Sequence, residues 1–570
     1  MGQKNSLCLA GKNQKMGGKM KNALFMGLAI LFVLLSIFFL ANSKSKANQE
    51  EEISQSDYVP SEVLAKFKSD IGKYSIQNAV LYLQGKVINY LGSELSPVAW
   101  DPSDLSVRSF RLDPDLMRIK LPVTISIDQA IDFLNNIGYI EYAEKNIIFH
   151  GCMIPNDPRR AEQYALNKIS AYQAWDITTG SSNVVVAVID TGINLNHEDL
   201  KDEGSDYRIW KNEDEIPDNG IDDDNNGYKD DYRGWNFVNN NNFIWDDTSP
   251  AYQHGTINGG IVGARTNNGK GVAAVNWKAK IMVVKALDYQ ANIKLSSAVN
   301  AIDYATENGA HISNNSYGKG TEAFSTAGAI TRAMNAGRLF VAAAGNYPQF
   351  NWRDNDIKSV YPASRDIDNV ISVAYTNESD ALDDGSHYGL YSVDLAAPGA
   401  NILSTGSGQD GYHWLSGTSE AAPHVAGVAA LLLAKHPGLN WWKVKTMIMK
   451  SVDPKSSLSG KVQSGGRLNA YAALSMAIPN LPAAPSNLNA QAFGCDVKLT
   501  WADNSSNENG FYVYRKTGNI FVEIGSTGPN VTTFWDYDLP SGTYYYYVRA
   551  YNGDGTSQKT LVKSIKLTGC

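Results

Sequence analysis

The segment Gly417-Thr418-Ser419-Glu420-Ala421-Ala422-Pro423-His424 has a hydroxyl side chain between a glycine turn and an alanine-rich run. That composition suits a nucleophile exposed at the start of a helix, with free N–H groups and a positive helix end beside it. On its own it is also an ordinary loop-to-helix capping sequence. Upstream, Val184-Val185-Val186-Ala187-Val188-Ile189 reads as a strand buried on both faces, and Asp190-Thr191-Gly192 follows at its carboxyl end. A carboxylate there can stand behind an imidazole and fix its tautomer; standing alone, it is equally a turn residue. His254-Gly255-Thr256 then opens a helical pattern of small residues running to Ala264, and its imidazole can serve as a general base. Leu339-Phe340-Val341-Ala342 leads into Ala343-Ala344-Gly345-Asn346, whose amide could donate to a developing oxyanion together with the Ser419 N–H. Acid, base and nucleophile in the order Asp, His, Ser, with an amide donor between, form a set suited to acyl transfer.

These four motifs resemble the subtilisin-like serine peptidases over residues 151–478. Asn315-Ser316-Tyr317-Gly318, Tyr361-Pro362-Ala363-Ser364 and Leu395-Ala396-Ala397-Pro398-Gly399 are softer matches. The resemblance implies that Asp190 orients, His254 is the base, Ser419 attacks and Asn346 stabilises the oxyanion. It also implies a protein or peptide substrate bound as an added strand along Ser316, Tyr317 and Gly318, with Ala343, Ala344 and Gly345 lining the pocket beside the scissile bond. Those small residues suggest room for a large apolar side chain, and no residue of the pocket floor is legible. Two departures from the family pattern stand out. Ile257-Asn258 replaces the usual His-Val, which reads as altered packing near the base. Glu420 replaces a common Met, which favours protonated His254, raises the pH optimum and removes an oxidisable sulfur. His197 and His424 read as structural.

Asp222, Asp224, Asn226 and Asp230, with Gly227 in the turn and the Tyr228 carbonyl between, alternate oxygen donors as in the first part of an EF-hand-type loop. Arg233 stands where the bidentate glutamate of that loop would be. Hard oxygen donors without local Cys or His favour structural Ca²⁺ over zinc; an acidic surface loop is the alternative. The resemblance implies a second Ca²⁺ site at Asp157, Asp199 and Asn268, completed by the carbonyls of Arg265, Lys270 and Val272.

The alternation of strand-like and helical runs after Asp190 predicts an α/β fold, a parallel sheet flanked by helices. Residues 58–150 resemble the family's inhibitory pro-segment, a small α+β domain cut near residues 150–155 by the enzyme's own triad. It has Glu144-Lys145-Asn146 where relatives often carry Glu-Pro-Asn. Residues 479–485 read as a stiff Pro-rich linker, and 486–570 as a β-sandwich resembling a fibronectin type III module. Its aromatics read as core first, and second as a face for protein or polysaccharide. Cys495 and Cys570 could pair across it.

Residues 1–21 carry Lys4, Lys12, Lys15, Lys19 and Lys21 without an acid, and 23–41 carry no charge. The pattern fits either a signal peptide, with Ala41-Asn42-Ser43 as the cleavage site, or an uncleaved single-pass anchor; both imply an extracellular or cell-surface protein. A length of 570 residues predicts several domains, and a net charge of −8 argues against a nucleic-acid partner. The leading function is an exported serine endopeptidase matured by autoprocessing. The alternative is a catalytically silent surface adhesion protein; a silent relative would usually have lost one of the four key residues, and all four are present.

Overall fold

The computed structural model describes residues 58–68, 108–110, 113–120, 127–136, 140–147, 153–204, 207–246, 253–406, 408 and 411–570. The basic and apolar leader (1–43), Cys8, Cys152 and the junction at 151–152 lie outside the described residues. Among the described residues, no helix is long and apolar enough to cross a membrane. The chain forms two compact units, 1–150 and 151–570.

In the first unit, β1 (Tyr58–Phe67), β2 (Arg108–Phe110), β3 (Asp113–Lys120) and β4 (Ile140–Ile147) form an antiparallel sheet in the order β2-β3-β1-β4. Helix α1 (Ile127–Asn135) joins β3 to β4. Alternation along β1 buries Val63, Ala65 and Phe67, and Ile127, Ala130 and Leu134 bury one stripe of α1.

The second unit begins with α2 (Tyr164–Lys168) and α3 (Ala171–Ile177), followed by β5 (Val185–Asp190), β6 (Gly234–Asn236), α4 (His254–Gly263), β7 (Lys280–Lys285), α5 (Leu295–Glu307), β8 (Ile312–Asn315), α6 (Phe324–Asn335) and β9 (Leu339–Ala343). It continues through β10 (Val370–Thr376), β11 (Leu395–Pro398), β12 (Ile402–Thr405), β13 (Tyr412–Leu415), α7 (Thr418–Lys435), α8 (Trp441–Lys450), β14 (Asp453–Pro454), β15 (Gly466–Arg467) and α9 (Ala470–Ser475). The main sheet has the order β14-β15-β11-β10-β9-β8-β5-β7-β6 and is parallel except for the β14–β15 pair. From β5 the chain steps to β7 on one side and then to β8, β9, β10 and β11 on the other. Asp190 therefore ends its strand where the order reverses, the place open α/β sheets use for binding and chemistry.

One apolar layer joins α4 and α7 to the sheet through residues such as Val186, Val262, Val341, Val425 and Leu431; the other packs α5 and α6 through Ile302, Tyr304, Ile330 and Phe340. Every residue of α7 from Thr418 to Leu432 is buried, so its near-uniform apolar composition belongs to a central helix and not to an amphipathic surface one.

Beyond an extended segment, β16 (Ser486–Phe493), β17 (Asp496–Ala502), β18 (Gly510–Thr517), β19 (Ile520–Thr527), β20 (Thr533–Asp536), β21 (Gly542–Asn552), β22 (Gly555–Thr556) and β23 (Lys563–Leu567) make two antiparallel sheets. Val497, Leu499 and Trp501 alternate inward from β17 and meet Phe511, Val513, Tyr546 and Val548. The segment 479–485 is pinned as well as extended: Asn480 N–H donates to Asp554, and its carbonyl accepts from Asn507 and Asn552. This module is fastened to the main sheet domain by Arg549, whose guanidinium meets Asp368 Oδ1 at 2.5 Å, and by Trp442 Nε1 donating to the Thr556 carbonyl at 2.9 Å. Cys495 and Cys570 are free thiols; they are hydrogen-bonded neighbours without a disulfide.

Candidate active site

Asp190 is fully buried, and its oxygens are engaged separately. Oδ1 lies 2.8 Å from His254 Nδ1 and accepts from the Thr191 N–H at 2.8 Å, while Oδ2 accepts from Asn258 Nδ2 at 2.9 Å. The carboxylate requires the Nδ1–H tautomer of the neutral His254 ring, in which Nε2 is unprotonated and able to take a proton. The glycine after His254 is a packing necessity: a Cβ on Gly255 would stand 2.2 Å from the Gly192 carbonyl oxygen. Buried Asp246 fixes this corner by accepting from Thr191 Oγ1, Thr256 Oγ1 and Thr256 N. It gave no sign in the sequence beyond being an acid between two motifs.

Ser419 is in the first turn of α7 and is 9 % exposed. Pro423 has no N–H to offer the carbonyl four residues back, which is that of Ser419. That carbonyl accepts instead from the Ser316 hydroxyl at 3.0 Å, tying α7 to the end of β8. The Ser419 hydroxyl is itself directed to the Ser316 carbonyl at 3.5 Å and makes no hydrogen bond to His254 among the described contacts; such bonds commonly tighten only with substrate bound.

Asn346 is oriented by its oxygen: Oδ1 accepts from Thr418 N at 2.9 Å and Thr418 Oγ1 at 3.0 Å, which turns Nδ2 away, towards Gly417. Among the described residues neither this amide N–H₂ nor the Ser419 N–H has an acceptor. The two together can take an oxyanion. Gly345, at φ +116°, makes the turn that brings Asn346 there and gives its own N–H to Thr418 Oγ1.

Among the substrate-side expectations, the main-chain groups of Tyr317 and Gly318 make no backbone hydrogen bond among the described residues, so this edge is open. The Tyr317 hydroxyl is held by Asn315 Oδ1 at 3.0 Å. Ala343 ends β9 in the core, and Ala344 packs among Ala374, Val393 and Leu458. The fully buried Val360 stands between the two glycines: its methyls would lie 2.8 Å from a Cβ on Gly318 and 3.2 Å from one on Gly345. It takes up space that the small residues alone suggested would be free. No local pattern marks it, because the contact is purely tertiary.

The electrostatics of this corner are unusual. Burial alone would lower the pKa of His254, but the charge and hydrogen bond of Asp190, then the charges of Glu420 and Asp246, outweigh it and push it to about 9. Glu420 is 2 % exposed, and burial lifts its carboxyl to about 7 against the pull of His254. His424 is a core residue bonded to the Glu420 carbonyl, and burial lowers its pKa to about 4. His197 bridges the Gly411 carbonyl and the Asp199 N–H. Neither touches the Asp190–His254 pair in any described contact.

In the acidic loop, carboxylate oxygens of Glu215, Asp222 and Asp224 lie within 4.8 Å of one another. Glu215 was not part of the loop spacing, and an acid a few residues ahead of the loop was its only signal. It is 4 % exposed, and its Oε2 has no hydrogen-bond partner; that atom and the close carboxylates fit a hard cation. Asn226 braces the group through Asp224 and Asp231, and the Tyr228 N–H donates to Asn226 Oδ1. Asp230 turns outward, both its oxygens accepting from the Gly220 N–H at 3.1 Å. Arg233 pairs with Asp202. At the second expected site, Asp157 and Asp199 are both fully buried. Burial, chiefly, raises Asp157 to about 6, with the charge of Asp199 adding to it. Asn268 Nδ2 reaches Asp199 Oδ1 at 2.9 Å, so all three expected residues meet. Two buried acids with no basic partner in a described ion pair also fit a cation.

A family model described as the subtilase family matches residues 181–476. The chain is 31 % identical over 466 residues to a thermophilic serine proteinase of Bacillus sp. (strain AK1), covering 80 % of this chain and 99 % of that protein. It is 36 % identical to thermitase of Thermoactinomyces vulgaris over 56 % of this chain and 99 % of that one. To a halolysin-like extracellular serine protease of Natrialba magadii it is 33 % identical, over 56 % of this chain and 54 % of that one.

Proposed function

This chain belongs to the subtilase family and is a subtilisin-like serine endopeptidase, and from that premise we propose that Asp190, His254, Ser419 and Asn346 carry its chemistry. The observation that carries the reading is the His254–Asp190 contact of 2.8 Å, set beside a serine at a helix start with two unused N–H donors. Ser419 Oγ attacks the peptide carbonyl carbon and its proton passes to His254 Nε2. The oxyanion takes the Ser419 N–H and the Asn346 amide. His254 then gives the proton to the leaving amine, and water, activated by the same imidazole, releases the acyl group. Substrate lies along Ser316, Tyr317 and Gly318 as an added strand. Ala343, Ala344 and Gly345 form the wall of the pocket for the residue before the scissile bond, and Val360 fills its base. The pocket therefore prefers small or medium apolar side chains.

Residues 58–150 act as the intramolecular inhibitor, removed near 150–155 by the enzyme itself. Export is supported by the apolar leader and by the relative named as extracellular. Glu215, Asp222 and Asp224 would hold one Ca²⁺, with Asn226, Tyr228 and Asp230 shaping the loop; Asp157, Asp199 and Asn268 would hold a second. Both would contribute stability by binding the folded state selectively. The module 486–570 is read as fibronectin type III-like, with protein or polysaccharide as its ligand class. Expression of wild type and Ser419→Ala with Ca²⁺, followed by intact mass, tests the core of this reading. Loss of the segment before about residue 155 in wild type alone supports nucleophile and autoprocessing together. If both chains stay whole and neither cleaves denatured protein, the reading fails.

A further inference from the structure

Asn258 is one turn after His254 on α4, so both side chains project from the same face. It is fully buried, and its Nδ2 lies 2.9 Å from Asp190 Oδ2 and 3.3 Å from His254 Nδ1. An ionised carboxylate only accepts, so the amide nitrogen must face it and Oδ1 must turn the other way. There Oδ1 has no hydrogen-bond partner. An orphaned buried carbonyl carries a desolvation cost that an apolar residue at this position would avoid. A residue that breaks a packing rule while contacting reacting groups is better explained by chemistry than by packing.

We propose that Asn258 is a positioning residue: it clamps the second oxygen of Asp190, so that the carboxylate cannot rotate away from His254. Asp190 Oδ1 is already held by His254 and by the Thr191 N–H. Asn258 is the one donor to Oδ2 among the described contacts. Without it, a buried carboxylate oxygen would be unsatisfied, and the carboxylate could turn to share His254 between its two oxygens. The charged and titratable groups around the pair are Glu420 of α7, Asp246, Lys285 of β7 and Tyr317 after β8. Lys285 Nζ donates to the Thr191 and Trp245 carbonyls.

This inference rests on the triad reading above, and the two fail separately. The test uses the full chain with Ca²⁺, comparing wild type with Asn258→Leu, Asn258→Asp, Asp190→Asn and Ser419→Ala. Asn258→Leu keeps the shape and loses the donor; kcat should fall about tenfold or more with KM within about twofold. Asn258→Asp adds a carboxyl beside Asp190, and the acid limb of kcat/KM against pH should move upward by about half a unit or more. If Asn258→Leu does not fold, the limb of Asn258→Asp decides. Folded variants with wild-type kcat and superimposable pH profiles, beside inactive Asp190→Asn and Ser419→Ala, overturn the assignment and leave the triad standing. Full activity of Ser419→Ala would overturn the triad and this assignment with it.

Discussion

Replacing Glu420 by Gln should move the pH dependence of catalysis downward. In wild type the base is usable only when neutral, and its pKa is pushed to about 9, so kcat/KM should climb through that value. Glu420 is 2 % exposed, and its carboxyl, raised to about 7 chiefly by burial, is ionised wherever His254 titrates. Glu420 is among the charges that raise His254, and Coulomb's law gives about 2 kcal/mol for two unit charges about 8 Å apart at an effective dielectric of about 20. That is about 1 to 1.5 pH units, an upper figure because the site relaxes. The assay is kcat/KM from about pH 5 to 11 with a chromogenic peptide below saturation, at two salt concentrations. The acid limb of Glu420→Gln should lie about one unit below wild type, with modest salt dependence since Glu420 is buried and His254 half-buried. Limbs that coincide, or an upward move, would refute the argument. Stability gives an independent check. Both groups have folded pKa values above their ordinary ones, Glu420 from 4.5 to about 7 and His254 from 6.5 to about 9. Each contribution is present below the ordinary value and is lost as pH rises through the folded one. In a Ser419→Ala background, Glu420→Gln should therefore be more stable than its parent near pH 9 by about 2–3 kcal/mol, with the difference closing below about pH 4.5.

Chelation with EGTA should lower the melting temperature of the mature enzyme, and Glu215→Gln should weaken Ca²⁺ rescue; a gain of about 2.7 kcal/mol is expected at a hundredfold excess over Kd. Identical melting with and without Ca²⁺ would remove the cation from the account. Val360→Gly should raise the kcat/KM ratio of Phe over Ala substrates at the position before the cut by about 10–100-fold, and an unchanged ratio would show that Val360 does not form the pocket base. Arg549→Met leaves the buried Asp368 with only the longer Lys559 pair at 3.9 Å and the Lys559 N–H, and should cost about 3 kcal/mol by calorimetry, largely restored in Arg549→Met with Asp368→Leu. A loss below about 1 kcal/mol would mean that the fastening lies elsewhere.

The parts of this molecule legible in the sequence are those that local chemistry specifies. The glycine turn followed by an alanine-rich run was read as a helix start, and α7 begins at Thr418, directly after Gly417. Strand β5 was read from an unbroken apolar run, since a strand covered on both faces needs no polar alternation. The short pairs β2 and β14–β15 were missed, because two or three residues hold no period. What the sequence concealed at the site is of one kind: groups whose part is set by a contact across the fold. Val360 is a valine like many others until Gly318 and Gly345 close on it. Glu215 is one acid among several until the fold brings its carboxylate within 4.8 Å of those of Asp222 and Asp224 and leaves its Oε2 without a partner. Asn258 is the most instructive, since it was read as a change in packing. Helical spacing from His254 fixed its face, but only the position of Asp190, on another element, turns that face into a hydrogen bond. Motif spacing thus identifies the groups that exchange protons and electrons. The residues that hold those groups in place, here Asn258 and Asp246, come from a helix and a loop that meet Asp190 and His254 only in the folded chain, whereas Glu420, inside the nucleophile motif, was legible beside them.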